Sequence, residues 1–351
     1  DTETVRITAN EGEAITNDII YGSVSGKKSD EDGKALGSAV IGIFKTGTTE
    51  FTKENAIAAT TSKDDGSFSF EKVPYGTWVI REIESPTGFV LSEEEIVVTV
   101  GKVDEVVEIE LVNYFIKGNI ALTKVDEDYP DNKLSGAVFE VYSDTNGDGK
   151  LDKDDELCGE MTELEGGVYQ MTELRYGKYF VREKTAPDGF VLDESVYGVS
   201  IEENGKTYTV ENKAGVGFIN DAQKGSLKIV KTSSDGKVEG FSFRVTSADG
   251  YDQTFKTDKN GEIFIEGLRI GEYTVSEVND SVSAEYILPA DKQATVKVDA
   301  TAIVQMHNEF RDTPKTGDDF NLGLWVSLAA ASVIGAGVLG FVGFKKKKKE
   351  D

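Results

Sequence analysis

One strand that carries a carboxylate on its apolar side recurs in this chain and limits what the chain can fold into. In YGKYFVREKTAPDGF, residues 176–190, strand alternation places Tyr179, Val181 and Glu183 on one side and Phe180 on the other. The side with the tyrosine and the valine is the one expected to be buried. The sequence therefore predicts that a glutamate points into a hydrophobic core.

The same pattern occurs in residues 75–89, with Trp78, Ile80 and Glu82 in register, and again in residues 270–277, with Glu277. In each copy the glutamate lies six residues after a glycine. The glycine and glutamate pairs are Gly76 and Glu82, Gly177 and Glu183, and Gly271 and Glu277. A single inward glutamate is usually a misread solvated face, but three at one offset indicate internal repeats.

Short alternating runs separated by turn residues predict an all-β protein built from tandem sandwiches. A repeat as long as residues 22–114 is large enough to bury its own core. The predicted segments are 1–21, the last strands of a truncated preceding domain; 22–114, 117–222 and 224–310, three complete domains; and 311–351, a C-terminal segment. Because residues 1–21 resemble the ending of the later repeats, we expect the sequence to be the C-terminal part of a longer protein.

The net charge and the cysteine content argue against nucleic-acid binding and against stabilisation by disulfides. The net charge of −26 and the isoelectric point near 4.5 argue against binding of nucleic acid by the body of the chain. The single cysteine, Cys158, allows no intrachain disulfide.

The first and last strands of each repeat also carry a polar residue on the apolar side. Val24, Gly26 and Lys28 share a face, and so do Val216, Phe218 and Asn220 at the end of the second repeat. By the same alternation, every repeat offers one inward lysine, one inward glutamate and one inward asparagine. These trios are Lys28, Glu82 and Asn113; Lys124, Glu183 and Asn220; and Lys231, Glu277 and Asn308.

Three buried polar groups are costly unless they satisfy one another. One interpretation is a structural ion pair with an asparagine hydrogen bond. The other is chemistry: burial lowers the pKa of a lysine and raises that of a glutamate, so a neutral amine can attack the asparagine side chain while the glutamate moves protons. The product would be an isopeptide crosslink, which needs no external enzyme because packing supplies the proximity.

Three motifs of the second repeat, KVDED at 124–128, REKTAPDGF at 182–190 and FIND at 218–221, resemble the collagen-adhesin B-type (CnaB) repeats of Gram-positive surface proteins and pilins. The resemblance implies transthyretin-like or Ig-like β-sandwiches and a Lys–Asn isopeptide bond in each, with Glu82, Glu183 and Glu277 in the catalytic role and no cofactor. The first repeat departs from the family pattern at Gly26 and has Lys27 as a competitor for Lys28. The third lacks the A-P-x-G that should follow Glu277.

An acidic insertion, DTNGDGKLDKDD at 144–155, fits the oxygen-ligand spacing of an EF-hand-type calcium loop. The alternative is an Asx-rich surface loop. The predicted Ca²⁺ ligands are Asp144, Asn146, Asp148, the carbonyl of Lys150, Asp152 and Asp155.

The C-terminal segment combines TPKTG, an uncharged run over 322–344 that is long enough to form a transmembrane helix, and a lysine run. A permanent membrane anchor is one interpretation. The other is a cell-wall sorting signal, because the motif resembles the LPxTG-like signal read by sortase; cleavage would then join Thr316 to peptidoglycan. The motif residues are Thr313, Pro314, Lys315, Thr316 and Gly317.

Together these features predict a secreted, cell-wall-anchored stalk of self-crosslinked domains that presents an upstream region. The alternative is an adhesin or minor pilin subunit whose domains bind a host extracellular-matrix or polysaccharide ligand. No motif supports turnover of an external substrate, so we expect a non-enzyme that is itself a substrate of sortase.

Overall fold

The computed structural model describes residues 19–311, and every regular element in that range is a β-strand. This confirms the predicted all-β fold. Residues 19–311 include no helix long and apolar enough to cross a membrane. The predicted transmembrane helix at 322–344, the TPKTG motif and residues 1–18 lie outside the described residues.

Repeat 1 is a sandwich of a three-stranded and a four-stranded sheet, in the orders β4-β1-β7 and β3-β2-β5-β6. Its strands are β1 (Tyr21–Asp30), β2 (Val40–Lys45), β3 (Ala58–Thr61), β4 (Ser67–Pro74), β5 (Gly76–Glu84), β6 (Ile96–Val100) and β7 (Val106–Asn113).

Repeat 2 has the same two-layer plan, with sheets β10-β9-β13-β14 and β11-β12-β8-β15, and β16 also pairs with β8. Its strands are β8 (Lys117–Asp126), β9 (Val138–Ser143), β10 (Glu156–Glu160), β11 (Thr162–Leu164), β12 (Val168–Arg175), β13 (Gly177–Thr185), β14 (Val196–Ile201), β15 (Thr207–Thr209) and β16 (Phe218–Asn220).

Repeat 3 pairs its strands in the orders β20-β17-β24-β22 and β19-β18-β21-β23. Its strands are β17 (Lys224–Ser233), β18 (Ser242–Ser247), β19 (Asp252–Lys256), β20 (Glu262–Arg269), β21 (Gly271–Glu277), β22 (Tyr286–Ile287), β23 (Lys292–Val296) and β24 (Thr301–Phe310).

Each sandwich buries its own core between the two sheets. Alternation on β13 is as predicted for Tyr179, Val181 and Glu183, which are all buried. Phe180 on the opposite face is buried as well, so burial on this strand is not confined to the predicted side.

The first strand of each repeat pairs in parallel with the last. In repeats 1 and 3 this pairing covers eight residues without a break. In repeat 2 the last strand is divided into β15 and β16, and Val216 lies before β16 begins. The prediction that Val216, Phe218 and Asn220 share a face of the last strand is therefore wrong for Val216, which is not part of that strand.

Candidate functional site

The first trio lies between the sheets of repeat 1. Lys28 comes from β1, Glu82 from β5 of the facing sheet and Asn113 from the end of β7. All three side chains are at most 1% exposed. The Nδ2 atom of Asn113 donates to both carboxylate oxygens of Glu82, at 3.0 and 2.9 Å. Nζ of Lys28 donates to the carbonyl of Leu111 at 3.4 Å, and its charge acts on Glu82. Parallel pairing of β1 with β7 thus places the predicted asparagine against the glutamate and the predicted lysine nearby.

Burial sets the protonation of this trio. Desolvation lowers the pKa of Lys28 to about 8, against the fields of Glu82 and Asp30. Desolvation raises the pKa of Glu82, although hydrogen bonds from Ser92 and Asn113 oppose the shift. The lysine is therefore more easily neutral, and the glutamate more easily protonated, than either is in water.

The sequence of β1 raises two questions: Gly26 departs from the family pattern, and Lys27 competes with Lys28 for the place in the trio. Lys27 is exposed on the outer side of β1, whereas Lys28 is 1% exposed, so the structure places Lys28 in the trio. Gly26 pairs with Phe68 on β4, and a Cβ atom at Gly26 would lie only 2.0 Å from the phenylalanine ring. The ring of Phe68 occupies the space that an apolar side chain would take.

The second trio has the same arrangement in repeat 2. Nδ2 of Asn220 donates to Glu183 at 2.8 Å and to the carbonyl of Val191 at 2.8 Å. Nζ of Lys124 donates to the carbonyl of Phe218 at 3.0 Å. Desolvation lowers the pKa of Lys124 to about 8 and raises that of Glu183.

The turn after Glu183 holds the chain next to Asn220. In APDG, residues 186–189, the N–H of Phe190 donates to Pro187 at 3.1 Å. Beyond the turn, the N–H of Val191 donates to the carbonyl of Asp221 at 2.8 Å. The turn that follows the glutamate therefore binds the residue that follows the asparagine.

The third trio keeps the bond between the amide and the carboxylate. Asn308 donates to Glu277 at 2.6 Å, and the second oxygen of Glu277, like one oxygen of Glu183, accepts no hydrogen bond from the described residues. Nζ of Lys231 donates to the carbonyl of Thr232 at 2.7 Å and lies 4.3 Å from the ring centroid of Phe241. Desolvation again lowers the pKa of Lys231 and raises that of Glu277.

The turn after Glu277 replaces the missing A-P-x-G with side-chain bonds. A carboxylate oxygen of Asp280 accepts the N–H of Val282 at 2.9 Å, and the hydroxyl of Ser283 donates to the carbonyl of Val278 at 2.8 Å. Ser283 is fully buried. The departure from the family motif thus changes how the turn is built and leaves the trio together.

Sequence reasoning missed the groups that orient the glutamates. The backbone N–H of Ser92 donates to Glu82 at 2.8 Å, and that of Asp193 donates to Glu183 at 2.9 Å. Each lies ten residues after its glutamate. That shared offset was visible in the sequence, but a backbone donor can come from any residue type and leaves no compositional signal.

One feature is common to all three sites. The Oδ1 atoms of Asn113, Asn220 and Asn308 are buried and accept no hydrogen bond from any described residue. An unpaired buried carbonyl is costly, and it recurs at one position of every repeat.

The carboxylates of the acidic loop accept hydrogen bonds from the N–H groups of the loop's own backbone. Asp144 accepts the N–H groups of Gly147 and Gly149, at 2.7 and 3.2 Å, and Asp155 accepts those of Thr145 and Asp152. Within residues 19–311, no three acidic, histidine or cysteine side chains come together to hold a metal. Calcium binding here stays a prediction, and the observed bonds are those of Asx turns.

The sequence and fold were compared with known proteins. A family model described as the SpaA prealbumin-like fold domain matches residues 22–114, 118–214 and 225–310. The second match ends at residue 214, within the interruption between β15 and β16, and does not include Asn220. No curated protein sequence matches the chain.

Among solved structures, the Bacillus anthracis TIE protein is 25% identical with a TM-score of 0.65, over 83% of this chain and 51% of that one. The chain thus spans about half the length of that protein. BcpA, the major pilin subunit of Bacillus cereus, is 14% identical with a TM-score of 0.39, over 82% of this chain and 99% of that one. A streptococcal ancillary pilin is 16% identical with a TM-score of 0.32, over 83% and 99%.

Proposed function

The chain belongs to the family of SpaA prealbumin-like fold domains, and we propose that it is a cell-wall-anchored stalk whose domains each form a Lys–Asn isopeptide bond. The observation that carries the proposal is the threefold recurrence of a buried lysine, glutamate and asparagine with the amide against the carboxylate. A structural ion pair would need the asparagine only as a hydrogen-bond donor. It would not require an asparagine two residues beyond the position opposite the lysine in all three repeats.

The reaction exchanges one amide for another. The neutral Nζ of Lys124 attacks Cγ of Asn220, a new C–N bond forms, and the bond from Cγ to Nδ2 breaks. Glu183 starts in its protonated form, gives its proton to Nδ2, which leaves as ammonia, and takes up the proton lost by the lysine nitrogen. Atoms and charge balance without an oxidant, a cofactor or any other reactant.

The unpaired Oδ1 atoms give the glutamate a second task. Rotation of the Asn220 amide about its Cβ–Cγ bond would give up the bond from Nδ2 to Val191 and exchange Nδ2 for Oδ1 against the carboxyl of Glu183. A protonated carboxyl would then donate to Oδ1 and make Cγ more electrophilic. The raised pKa of Glu183 favours this protonated form.

The C-terminal sequence supports wall anchoring. TPKTG at 313–317, the uncharged run and the lysine tail have the order of a sortase signal. In the proposal sortase cleaves after Thr316 and joins it to peptidoglycan. The protein would then be a cell-surface protein and a substrate of sortase, with no turnover of its own beyond the three crosslinks.

Intact-protein mass spectrometry tests the crosslinks directly. Recombinant 22–310 should be lighter than its sequence mass by three ammonias. Glu82→Ala, Glu183→Ala and Glu277→Ala should each restore one ammonia. Lys27→Ala is the matched control for the first repeat and should keep all three losses. A wild-type mass equal to the sequence mass would leave only ion pairs.

A further inference from the structure

Repeat 2 differs from the other two in how it holds its reactive asparagine. In repeats 1 and 3 the asparagine ends a run of eight residues paired with the first strand. In repeat 2 the strand that carries Asn220 pairs with β8 over three residues only, and residues 210–217 separate it from β15. Three paired residues alone hold a strand weakly, because few ladder bonds fix it.

A side chain occupies the open edge of this short strand. The carbonyl of Asn220 accepts the N–H of Glu127, so Asn220 bonds toward β8. Strand alternation then turns the N–H and C=O of Ile219 to the outer edge. There Oδ1 of Asn212 accepts the N–H of Ile219 at 2.7 Å, and Nδ2 of Asn212 donates to its C=O at 2.9 Å. One asparagine side chain thus makes both bonds that a neighbouring strand would make.

Asn212 is itself fixed by Asp193. Nδ2 of Asn212 donates to Asp193 Oδ2 at 3.0 Å, and the hydroxyl of Tyr197 donates to the same oxygen at 2.6 Å. The backbone N–H of Asp193 donates to Glu183 at 2.9 Å. Asp193 therefore connects the glutamate of the trio, through its backbone, to the strand of the asparagine, through its side chain.

We propose that Asp193 and Asn212 are positioning residues for the crosslink of repeat 2, and we name this pair the brace. The inference rests on the proposed isopeptide chemistry. Together with the bonds of Val191 to Asn220 and Asp221, the brace sets the distance between Glu183 and Asn220, which in the other repeats the uninterrupted ladder fixes. In repeat 1 the counterpart of Asp193 is Ser92, which keeps the backbone bond to Glu82 and stands beside a continuous last strand that needs no brace.

The brace should act on rate more than on fold. Its residues make no hydrogen bond to Lys124 among the described residues, and the core of repeat 2 is formed by other side chains. The charge of Asp193 does raise the pKa of Lys124 and that of Glu183, so Asn212→Ala, which leaves that charge in place, is the cleaner variant. Loss of the brace would let Asn220 move relative to Glu183 while the sandwich stays assembled. Displacement of a reacting group by about 1 Å can slow a reaction roughly a hundredfold.

The test measures each crosslink in the 351-residue chain. The chain is made by cell-free synthesis, samples are quenched in acid denaturant at intervals, and the branched peptides that contain Lys28–Asn113, Lys124–Asn220 and Lys231–Asn308 are quantified by mass spectrometry. The rates of the first and third crosslinks serve as internal references for the rate of the second. Hydrogen exchange of residues 212–221 in the same variants reports whether the strand is held.

Four variants separate the roles. Asn212→Ala should slow the second crosslink roughly ten- to hundredfold, leave the other two unchanged and raise exchange at 218–220. Asp193→Ala should act in the same direction, and it carries the test if Asn212→Ala does not fold. Asp193→Asn keeps an acceptor oxygen and the backbone N–H, so it should restore most of the rate. Asn119→Ala removes an amide that bonds Thr207 on the other half of the divided strand and should change neither readout.

The outcomes are distinguishable. If the second crosslink forms at its normal rate in Asn212→Ala and Asp193→Ala, the brace is not a positioning device, even where exchange rises. If wild-type protein forms no crosslink in any repeat, the isopeptide chemistry itself is wrong and the inference falls with it. If only repeat 2 of the wild type lacks its crosslink, the proposed chemistry stands and the brace is overturned.

Discussion

Lys28 lies directly opposite Leu111 in the parallel ladder between the first and last strands of repeat 1. Asn113 is two residues further along the same face of its strand. That separation is about 7 Å along the strand and about 5 Å across the ladder, which an extended lysine side chain can span. The same register recurs, with Lys124 opposite Phe218 and Lys231 opposite Met306. A parallel pairing at fixed register is therefore what brings each lysine to its asparagine.

Gly26 should be intolerant of any side chain. Gly26→Ala places a Cβ against the ring of Phe68, and overpacking of this kind costs about 1–3 kcal/mol. We expect a lower urea midpoint for repeat 1, measured in a Glu82→Ala background so that no crosslink masks the effect. Gly101→Ala is the control, because its Cβ meets only ordinary contacts. Gly26→Val combined with Phe68→Ala should recover part of the loss, and an equal or larger loss would contradict this account of the site.

The lowered pKa of Lys124 predicts a pH dependence in a protein that cannot crosslink. In Glu183→Ala the lysine stays buried and loses a charge that raised its pKa, so its folded pKa lies at or below about 8. The unfolded pKa is the ordinary 10.5. Between these values the unfolded state binds more protons, so the free energy of unfolding should rise as the pH increases from about 8 to 10.5.

The control for this pH effect is Glu183→Ala combined with Lys124→Met. It carries the same cavity at position 183 and no buried amine, so its stability should lack that rise. Urea denaturation of both variants across the pH range gives the difference. Parallel pH profiles for the two would show that Lys124 is not desolvated.

Sequence periodicity identified the inward lysine, glutamate and asparagine of each repeat because strands alternate with period two. Lys28, for example, shares a face of β1 with Val24 and is buried, as the alternation predicted. The lateral register could not be predicted, since it depends on pairing between segments far apart in the chain. The division of the last strand in repeat 2 was also missed, because the alternation of Val216, Phe218 and Asn220 is typical of one continuous strand. Burial of Phe180 depends on what covers the outer face, which alternation does not report.

The acidic loop gives a calcium prediction. If 144–155 binds Ca²⁺, chelation should lower the melting temperature of repeat 2 and leave those of repeats 1 and 3 unchanged, since ligand release destabilises only the domain that binds. Asp144→Ala should abolish the difference, because Asp144 supplies the first predicted ligand and closes two turns of the loop. Melting curves that coincide with and without chelator would reduce the loop to a set of Asx turns.

Mechanical load is where the proposed crosslinks would matter to a stalk. Lys28 lies near the C-terminal end of β1, and Asn113 is the last residue of β7. Force that enters at the start of β1 and leaves at the end of β7 would pass from Lys28 through the new amide to Asn113. The segment between them then drops out of the load path. Hydrogen-bonded ladders rupture under force at the unfolding rate, whereas an amide bond holds.

Single-molecule pulling on 22–310 checks this load path. Wild-type repeats should show no unfolding step before the tether detaches. Lys28→Ala should restore one step, which releases the chain between residues 28 and 113 and lengthens the tether by roughly 300 Å. Lys27→Ala, with the same change of charge on the exposed side of β1, should stay locked. Lys124→Ala and Lys231→Ala should each restore the unfolding step of their own repeat. A wild-type protein that already extends to its full contour length would rule out the mechanical role.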